Sequence, residues 1–181
     1  YSITDEFASG FQRVGGYVSF QDMDHIAKQT NIILMPHKNN LALIWDPEKP
    51  SLAFILLNPS TADHTQDDQT IESASFLLKE EGFGSLEVAN LFAYRATNPD
   101  ERKNVTDPIG PKNDKYLFEV IARTDVFVAA WGVHGSYKGR NQVVERMLSI
   151  KDTVKCLGIT KDGHPKHPLF LPRHSQIITY K

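Results

Sequence analysis

Polar or aromatic side chains follow four apolar runs of the sequence, at the point where each run stops. They are Asn58, Asn90, Trp131 and His164. An asparagine amide both donates and accepts hydrogen bonds, so it can hold a water molecule or the edge of a base, but it does not take up a proton at neutral pH. A histidine can donate a hydrogen bond to negative charge that develops on a leaving group. These residue types suit a site that binds a polar ligand and positions water beside it.

Each of these residues also has an ordinary structural explanation. Asn58 precedes Pro59, and asparagine and proline commonly end a strand in a turn. Asn90 could satisfy backbone groups of the next loop, Trp131 could belong to the core, and His164 could be a solvated surface residue. The functional interpretation rests on the coincidence of all four at equivalent positions.

The four apolar runs have the length and composition of strands that are buried on both faces. They cover residues 52–57, 86–92, 126–131 and 154–159. Apolar residues at helical spacing predict helices at 67–81, 113–123 and 142–150. Alternating strands and helices imply crossover connections, and therefore a mostly parallel sheet with helices on both faces. The expected fold class is α/β, a three-layer sandwich with a central, mostly parallel four-stranded sheet.

The N-terminal part of the chain follows a different pattern. Residues 32–35 and 41–45 are apolar and flank a polar turn at 37–40, which predicts a β-hairpin. Residues 1–31 show no sustained period and are expected to be an N-terminal extension. Because the chain has 181 residues, 40% of them hydrophobic, we expect residues 32–181 to form a single α/β domain.

The predicted topology indicates where a ligand would bind. In an open parallel sheet the ligand crevice lies beyond the carboxyl ends of the strands, where loops from neighbouring strands converge. The four polar or aromatic residues all follow such ends, so we expect them to gather in one site. A polar loop at 95–113 follows the second of these strands, and loops of this length are usually functional or mobile.

The overall charge does not indicate a protein whose main function is non-specific binding to phosphate groups. The formal net charge is −2, whereas such proteins normally carry an overall basic footprint. Residues 151–181 contain six basic and two acidic side chains, so this segment carries +4 and the rest of the chain −6. One basic face could therefore meet an anionic partner.

Cysteine usage and hydropathy disfavour two further classes of protein. Cys156 is the only cysteine, so neither an intrachain disulfide nor a thiolate metal cluster is expected. No stretch approaches the roughly 20 apolar residues of a membrane span, and the first residues lack the basic and apolar regions of a secretory signal. We expect a cytoplasmic monomer with no membrane partner.

Short motifs at the strand ends resemble those of a known superfamily. The order Asn58-Pro59, Asn90, Trp131-Gly132 and His164-Pro165, each after a strand, is similar to that in the uracil-DNA glycosylase superfamily. A bacterial and phage family of unknown function is more similar still. Its resemblance covers roughly residues 32–171 and rests on LLNPSTAD at 56–63, NLF at 90–92, WG at 131–132 and GHPKHPL at 163–169.

The chain departs from the glycosylase pattern at three positions. The first glycosylase loop normally begins with glycine, where this chain has Leu57, and continues with glycine or an aromatic residue, where it has Ser60. The last motif contains one extra residue and has Lys166 in place of serine. These differences concern the approach of the base, and therefore the identity of the substrate.

The resemblance implies a uracil-DNA glycosylase-like fold and a monofunctional DNA glycosylase. Such an enzyme flips a pyrimidine base, modified or not, out of DNA and hydrolyses its N-glycosidic bond. By position, the catalytic residues would be Asn58, which would hold the attacking water, and His164, which would stabilise charge on the departing base. The implied partner is DNA, no cofactor or metal is implied, and the setting would be DNA repair or phage defence.

The same resemblance assigns the remaining site residues. Those that would bind the substrate are Pro59, Ser60, Asn90, Phe92, Trp131 and Gly132. Those that would contact DNA are Lys166, His167, Leu169 and Arg173. Leu169 or a neighbour would act as an apolar wedge in the gap left by the flipped base.

Three other functions fit parts of the pattern. Asp63, Asp67 and Asp68 could hold Mg²⁺ in a nucleotide or phosphate hydrolase, although the chain has no Gly-rich phosphate loop. A zinc site built from His164, His167 and His174 matches no ligand spacing of known zinc sites. A non-catalytic nucleic-acid-binding module would keep the fold without the chemistry.

Overall fold

Seven strands pair into one sheet in the computed structural model, which describes residues 33–37, 40–59, 82–96, 98–167 and 178–181. The strands are β1 (Ile33–His37), β2 (Asn40–Ile44), β3 (Ser51–Leu56), β4 (Ser85–Asn90), β5 (Val126–Ala129), β6 (Val154–Cys156) and β7 (Ile178–Thr179). Their order across the sheet is β1-β2-β4-β3-β5-β6-β7.

The sheet is mixed. β3 pairs in parallel with both β4 and β5, and β5 pairs in parallel with β6. The other three pairings, β1 with β2, β2 with β4 and β6 with β7, are antiparallel. The α/β class is therefore confirmed, whereas the expected sheet of four strands is corrected to a mixed sheet of seven.

Two differences account for this correction. The predicted hairpin forms as β1 and β2, but β2 pairs with β4 and so belongs to the main sheet. β7 was not predicted, because a strand of two residues is too short to show a period.

The apolar run of β3 forms the centre of the sheet. Leu52, Ala53, Phe54 and Ile55 are all 0% exposed, which shows that both faces of the strand are covered. A strand that is buried on both faces needs apolar residues at successive positions rather than at alternate ones. The continuous run in the sequence therefore has a direct physical cause.

Two α-helices pack on one face of this sheet. They are α1 (Asn113–Arg123), at the predicted bounds, and α2 (Arg140–Leu148), which begins two residues before the predicted start. Leu117, Val120, Ile121, Val144 and Leu148 of these helices form one core cluster with Ala53, Ile55, Phe127 and Ala129 of the sheet. The helix predicted at 67–81 and the N-terminal extension lie outside the described residues, so the third layer of the expected sandwich stays a prediction.

An ion pair connects the end of α1 to the sheet. Arg123 donates through Nε and Nη2 to the two carboxylate oxygens of Glu87 on β4. Glu87 is 5% exposed, and a paired guanidinium is the usual condition for burying a carboxylate. This contact fixes the position of α1 along β4. The first residue of the helix therefore lies near the end of that strand.

The polar segment after β4 forms local structure in its described parts, 95–96 and 98–113. It contains a 3₁₀-helix, Pro99–Asn104, whose N-cap Asn98 accepts a hydrogen bond from the Asp100 backbone N–H. Ala93 and Tyr94, just before this segment, donate to the carbonyls of Ile109 and Pro108 near its other end. A second 3₁₀ segment, Val133–Gly139, precedes α2. None of the helices in the described ranges is long and apolar enough to cross a bilayer.

Candidate functional site

The strand order creates a switch point between β3 and β5. The chain runs from β3 to its neighbour β4 on one side, and then crosses to β5 on the other side of β3. Loops that leave neighbouring strands in opposite directions open a crevice at their carboxyl ends, which is where α/β sheets bind ligands. Asn58 follows β3 and Gly132 follows β5, so both lie at this crevice.

Asn58 connects the end of β3 to the segment at 96–102. Its side chain is buried, and Nδ2 donates to the carbonyl oxygens of Ala96 at 2.7 Å and Pro59 at 3.0 Å. Its Oδ1 accepts from Arg102 Nη1 at 3.5 Å. Both amide hydrogens are therefore engaged, and Oδ1 keeps capacity for one more hydrogen bond.

Arg102 is a site residue that the sequence analysis missed. It is 2% exposed, its Nε donates to the Pro99 carbonyl at 3.0 Å, and its guanidinium carbon lies 4.5 Å from the ring centroid of Phe92. The sequence held one signal for it. Asn98-Pro99-Asp100 has the pattern of a helical N-terminus, which fixes the direction in which Arg102 leaves the backbone.

Asn90 lies beside β3 at the end of β4, in register with Leu56. It is 8% exposed, and no group in the described part of the chain forms a hydrogen bond with its Oδ1. A buried amide oxygen without a donor costs about 1–3 kcal/mol. Such an atom requires an explanation, of which a bound ligand or water is the simplest.

Phe92 and Trp131 are core residues. Both are 0% exposed, and the Trp131 ring meets the Tyr180 ring edge-on at 6.1 Å between centroids. Phe92 carries the Arg102 guanidinium on its face. Neither ring therefore exposes a surface for the predicted contact with a substrate. Phe92 instead supports Arg102.

The last motif closes the crevice on the side of β5. Gly132 donates its backbone N–H to the Pro165 carbonyl at 2.9 Å. It has φ +69°, and a Cβ there would lie 3.1 Å from the Cβ of His167. Glycine at this position therefore allows the segment at 163–167 to cross directly over the end of β5.

His164 occupies a tight turn within that segment. Its backbone N–H donates to Thr160 Oγ1 at 3.0 Å and its carbonyl accepts from the Thr160 N–H at 2.8 Å. Ile159 and Pro165 form an isolated antiparallel bridge beside it. The His164 side chain is half-buried, and so is Lys166, so both are held on a braced turn at the edge of the crevice.

His167 is buried, although the sequence analysis placed it at the DNA surface. It is 8% exposed, and burial, with a smaller effect from the nearby His134, lowers the pKa of His167 to about 4. The imidazole is therefore neutral at physiological pH. A neutral imidazole does not present charge to a phosphate.

Several predicted residues lie outside the described residues. They are Ser60, Asp63, Asp67, Asp68, Leu169, Arg173 and His174. Within the described ranges, no group of three or more His, Cys, Asp or Glu side chains is arranged to hold a metal ion. The structure thus brings together Asn58, Pro59, Asn90 and Gly132 at the strand ends, with the turn of His164 against Gly132.

One family model matches most of the chain. It is described as "Protein of unknown function (DUF1643)" and matches residues 40–169. The chain belongs to this family. The match runs from β2 to the turn at 163–167 and so contains every described residue of the crevice. Neither the curated proteins nor the solved structures contain a match to the chain. The expected membership of a family of unknown function is confirmed, and the link to glycosylases stays a prediction.

The contacts of Asn58 predict the effect of an isosteric change. In Asn58→Asp a carboxylate oxygen would replace Nδ2 and face the carbonyl oxygens of Ala96 and Pro59, with Arg102 offsetting only part of the repulsion. We expect chemical denaturation to show a free energy of unfolding lower by about 2 kcal/mol or more. Asn98→Asp is the matched control and should change it by less than about 0.5 kcal/mol, because either residue caps a helix. An Asn58→Asp protein as stable as wild type would contradict these contacts.

The lowered pKa of His167 predicts a pH dependence of stability. Between pH 6.5 and about 4 the unfolded chain binds a proton at this histidine that the folded chain does not, so the free energy of unfolding falls as the pH falls through this window. We expect His167→Gln to remove up to about 3 kcal/mol of the difference in stability between pH 7 and pH 4. Urea denaturation at several pH values measures it. An unchanged pH profile would show that His167 is not buried as a neutral group.

Proposed function

We propose that the protein is a monofunctional DNA glycosylase that flips a pyrimidine base out of DNA and hydrolyses its N-glycosidic bond. The observation that carries this proposal is the buried, unpartnered Oδ1 of Asn90 at the end of β4, next to Asn58 at the switch point. The parallel strands β3 to β6 also support the finer fold assignment, a three-layer uracil-DNA glycosylase-like sandwich.

Asn90 would read the base. Its amide can donate to and accept from a base edge, and an N–H group of a flipped pyrimidine would supply the donor that Oδ1 lacks. A hydrogen bond from the base to this buried oxygen would stabilise the complex. The contact of the base with Asn90 would therefore offset part of the free energy needed to unstack that base from the DNA.

Asn58 would position the attacking water. Because Nδ2 is fixed by the carbonyls of Ala96 and Pro59, the amide plane cannot rotate, and the remaining acceptor capacity of Oδ1 has a defined direction. A water that donates to this oxygen would be placed, although not deprotonated, since an amide is not a base at neutral pH. Catalysis would then depend on placement and on stabilising the leaving base.

The turn at 160–166 would act on the base and the DNA backbone. His164 is half-buried at the crevice edge and would donate to a base oxygen as the bond breaks. Lys166 on this turn would contact a phosphate, whereas Lys181 pairs with Glu145 beside the start of β6, at the opposite edge of the sheet. The reaction as proposed consumes water alone and uses no cofactor. DNA would be the partner of a monomeric protein that acts in DNA repair or phage defence.

A non-catalytic nucleic-acid-binding module is the second candidate. It is favoured by the engagement of Asn58, whose side chain is 3% exposed and whose amide hydrogens both bind carbonyls. In that case Asn58 would only join the end of β3 to the 96–102 segment. The two candidates share DNA binding and differ in base excision.

Replacement of Asn90 separates a ligand contact from a structural one. Asn90→Leu removes the unpartnered oxygen, so we expect the free energy of unfolding to stay unchanged or rise by about 1 kcal/mol. Single-turnover excision should fall by about 100-fold or more, as it does when one well-placed polar group is lost from an active site. The substrates are DNAs that carry uracil, mismatched thymine or hypermodified pyrimidines, with strand cleavage at the abasic site as the readout.

Asn141→Leu is the matched control, because Asn141 has the same 8% exposure but lies in α2. It should leave excision unchanged. If the parent protein excises none of these bases yet binds the DNA, the second candidate replaces the first. If the parent is active and Asn90→Leu excises at the parent rate, Asn90 does not read the base.

Lys166 provides a test of DNA contact that both candidates share. Lys166→Ala should weaken binding to all DNA sequences and reduce the slope of log affinity against log salt by about one unit, because one released counterion is lost. Fluorescence anisotropy with labelled duplex and single-stranded DNA measures the slope. Lys115→Ala on the exposed side of α1 is the control and should leave it unchanged. Equal slopes for the wild type and both variants would remove the turn from the DNA interface.

A further inference from the structure

Unpartnered polar atoms gather behind the end of β4, on the side of the sheet that carries α1 and α2. Five buried side-chain atoms in the described ranges lack a hydrogen-bond partner. Three of them, Asn113 Oδ1, Trp131 Nε1 and Arg140 Nη2, belong to residues that surround Leu91. Most proteins contain a few buried polar atoms without partners, and these are usually scattered. Three such atoms around one residue therefore indicate a site that binds a small polar molecule.

The carbonyl oxygen of Leu91 anchors two of these residues. Arg140 Nε donates to it at 2.8 Å and Asn113 Nδ2 at 2.7 Å. Asn113 Nδ2 also reaches the Asn90 carbonyl at 3.1 Å. Asn113 is 1% exposed and Arg140 is 2% exposed, and they are the first residues of α1 and α2. The starts of both helices therefore meet at this carbonyl.

The planar guanidinium fixes where the free donor points. One N–H of Nη2 is parallel to the Nε–H on the same edge of the group. Because Arg140 Nε–H points at the Leu91 carbonyl, that Nη2 hydrogen points past the same oxygen, which also accepts from the Asn113 amide. Nη1 faces Asp114 on the other edge.

The Trp131 indole lies beside the Leu91 side chain. A Cβ at Gly135 would lie 2.2 Å from Trp131 Cδ1 and 3.0 Å from Leu91 Cδ1. Trp131 Cδ1, the carbon bonded to Nε1, therefore lies near Gly135 and the Leu91 side chain, and glycine at 135 has no side chain that could accept from the indole N–H. Trp131 is 0% exposed, so bulk water does not satisfy it.

We propose that one ordered water molecule binds beside the Leu91 carbonyl, accepting from Arg140 Nη2 and donating to Asn113 Oδ1, with the Trp131 N–H as a second donor. A mixture of donors and an acceptor fits water, which needs two to four polar partners in a buried site. An anion fits less well, because it would repel Asn113 Oδ1 and because Asp114 already pairs with Arg140. This site is independent of the proposed glycosylase activity. It would hold the Asn90 and Leu91 carbonyls in place from behind the crevice.

A crystal structure of the whole chain that shows ordered water tests the proposal directly. The expected result is one solvent peak about 3 Å from both Arg140 Nη2 and Asn113 Oδ1. An empty space, direct contact between these two side chains, or an anion identified by its anomalous signal after a bromide soak would each overturn it.

Water-selective NOE spectroscopy gives a second measurement in solution. The chain has two tryptophans, and the indole N–H of Trp45 donates to the Phe83 carbonyl at 2.8 Å, so it serves as the internal control. We expect a cross-peak from long-lived water to the Trp131 N–H and none to the Trp45 N–H. A Trp131 N–H without this cross-peak would remove it from the water site, and a dry crystal site as well would overturn the proposal.

Discussion

The burial of β3 on both faces is the constraint on which the rest of the structure depends. β3 is covered on both faces, and it pairs with β4 at one edge and with β5 at the other. Because both pairings are parallel, the loops after all three strands emerge at one edge and the chain reverses direction across β3. The crevice is thus a consequence of an apolar hexapeptide, Leu52 to Leu57, and not of any polar residue in it.

The described polar groups at that edge are of two kinds. Some form hydrogen bonds, which stabilise the fold, and one has an atom without a partner, which destabilises it. Asn58 and Arg102 are buried with hydrogen bonds to groups far away in the chain, and such bonds rigidify the segment after β4. Asn90 is buried with an oxygen left without a donor, which lowers stability unless something binds there. The engaged amide of Asn58 thus fixes a rigid segment beside Asn90, and rigid surroundings of this kind are what the proposed base-binding site would need.

Much of the fold is encoded locally. The hairpin, the central strands and the bounds of α1 follow from hydrophobic periodicity, because each depends on residues within one element. The number of strands in the sheet does not follow from local periodicity. The pairing of β2 with β4 and the two-residue β7 depend on edges that remain open after the centre of the sheet has formed, and no local pattern records which segment covers an open edge.

By itself, the sequence determined that Asn58, Asn90 and the 163–167 segment follow strands and therefore meet at one edge, because strand ends are visible as breaks in apolar runs. Only the tertiary structure decided what each side chain does there. Two of the partners of Asn58, Ala96 and Arg102, are about forty residues away, and the buried His167 lies next to Gly132. Burial and hydrogen-bond satisfaction depend on three-dimensional neighbours, so an asparagine with an engaged amide and one whose oxygen has no partner in the described ranges are indistinguishable until the chain is folded.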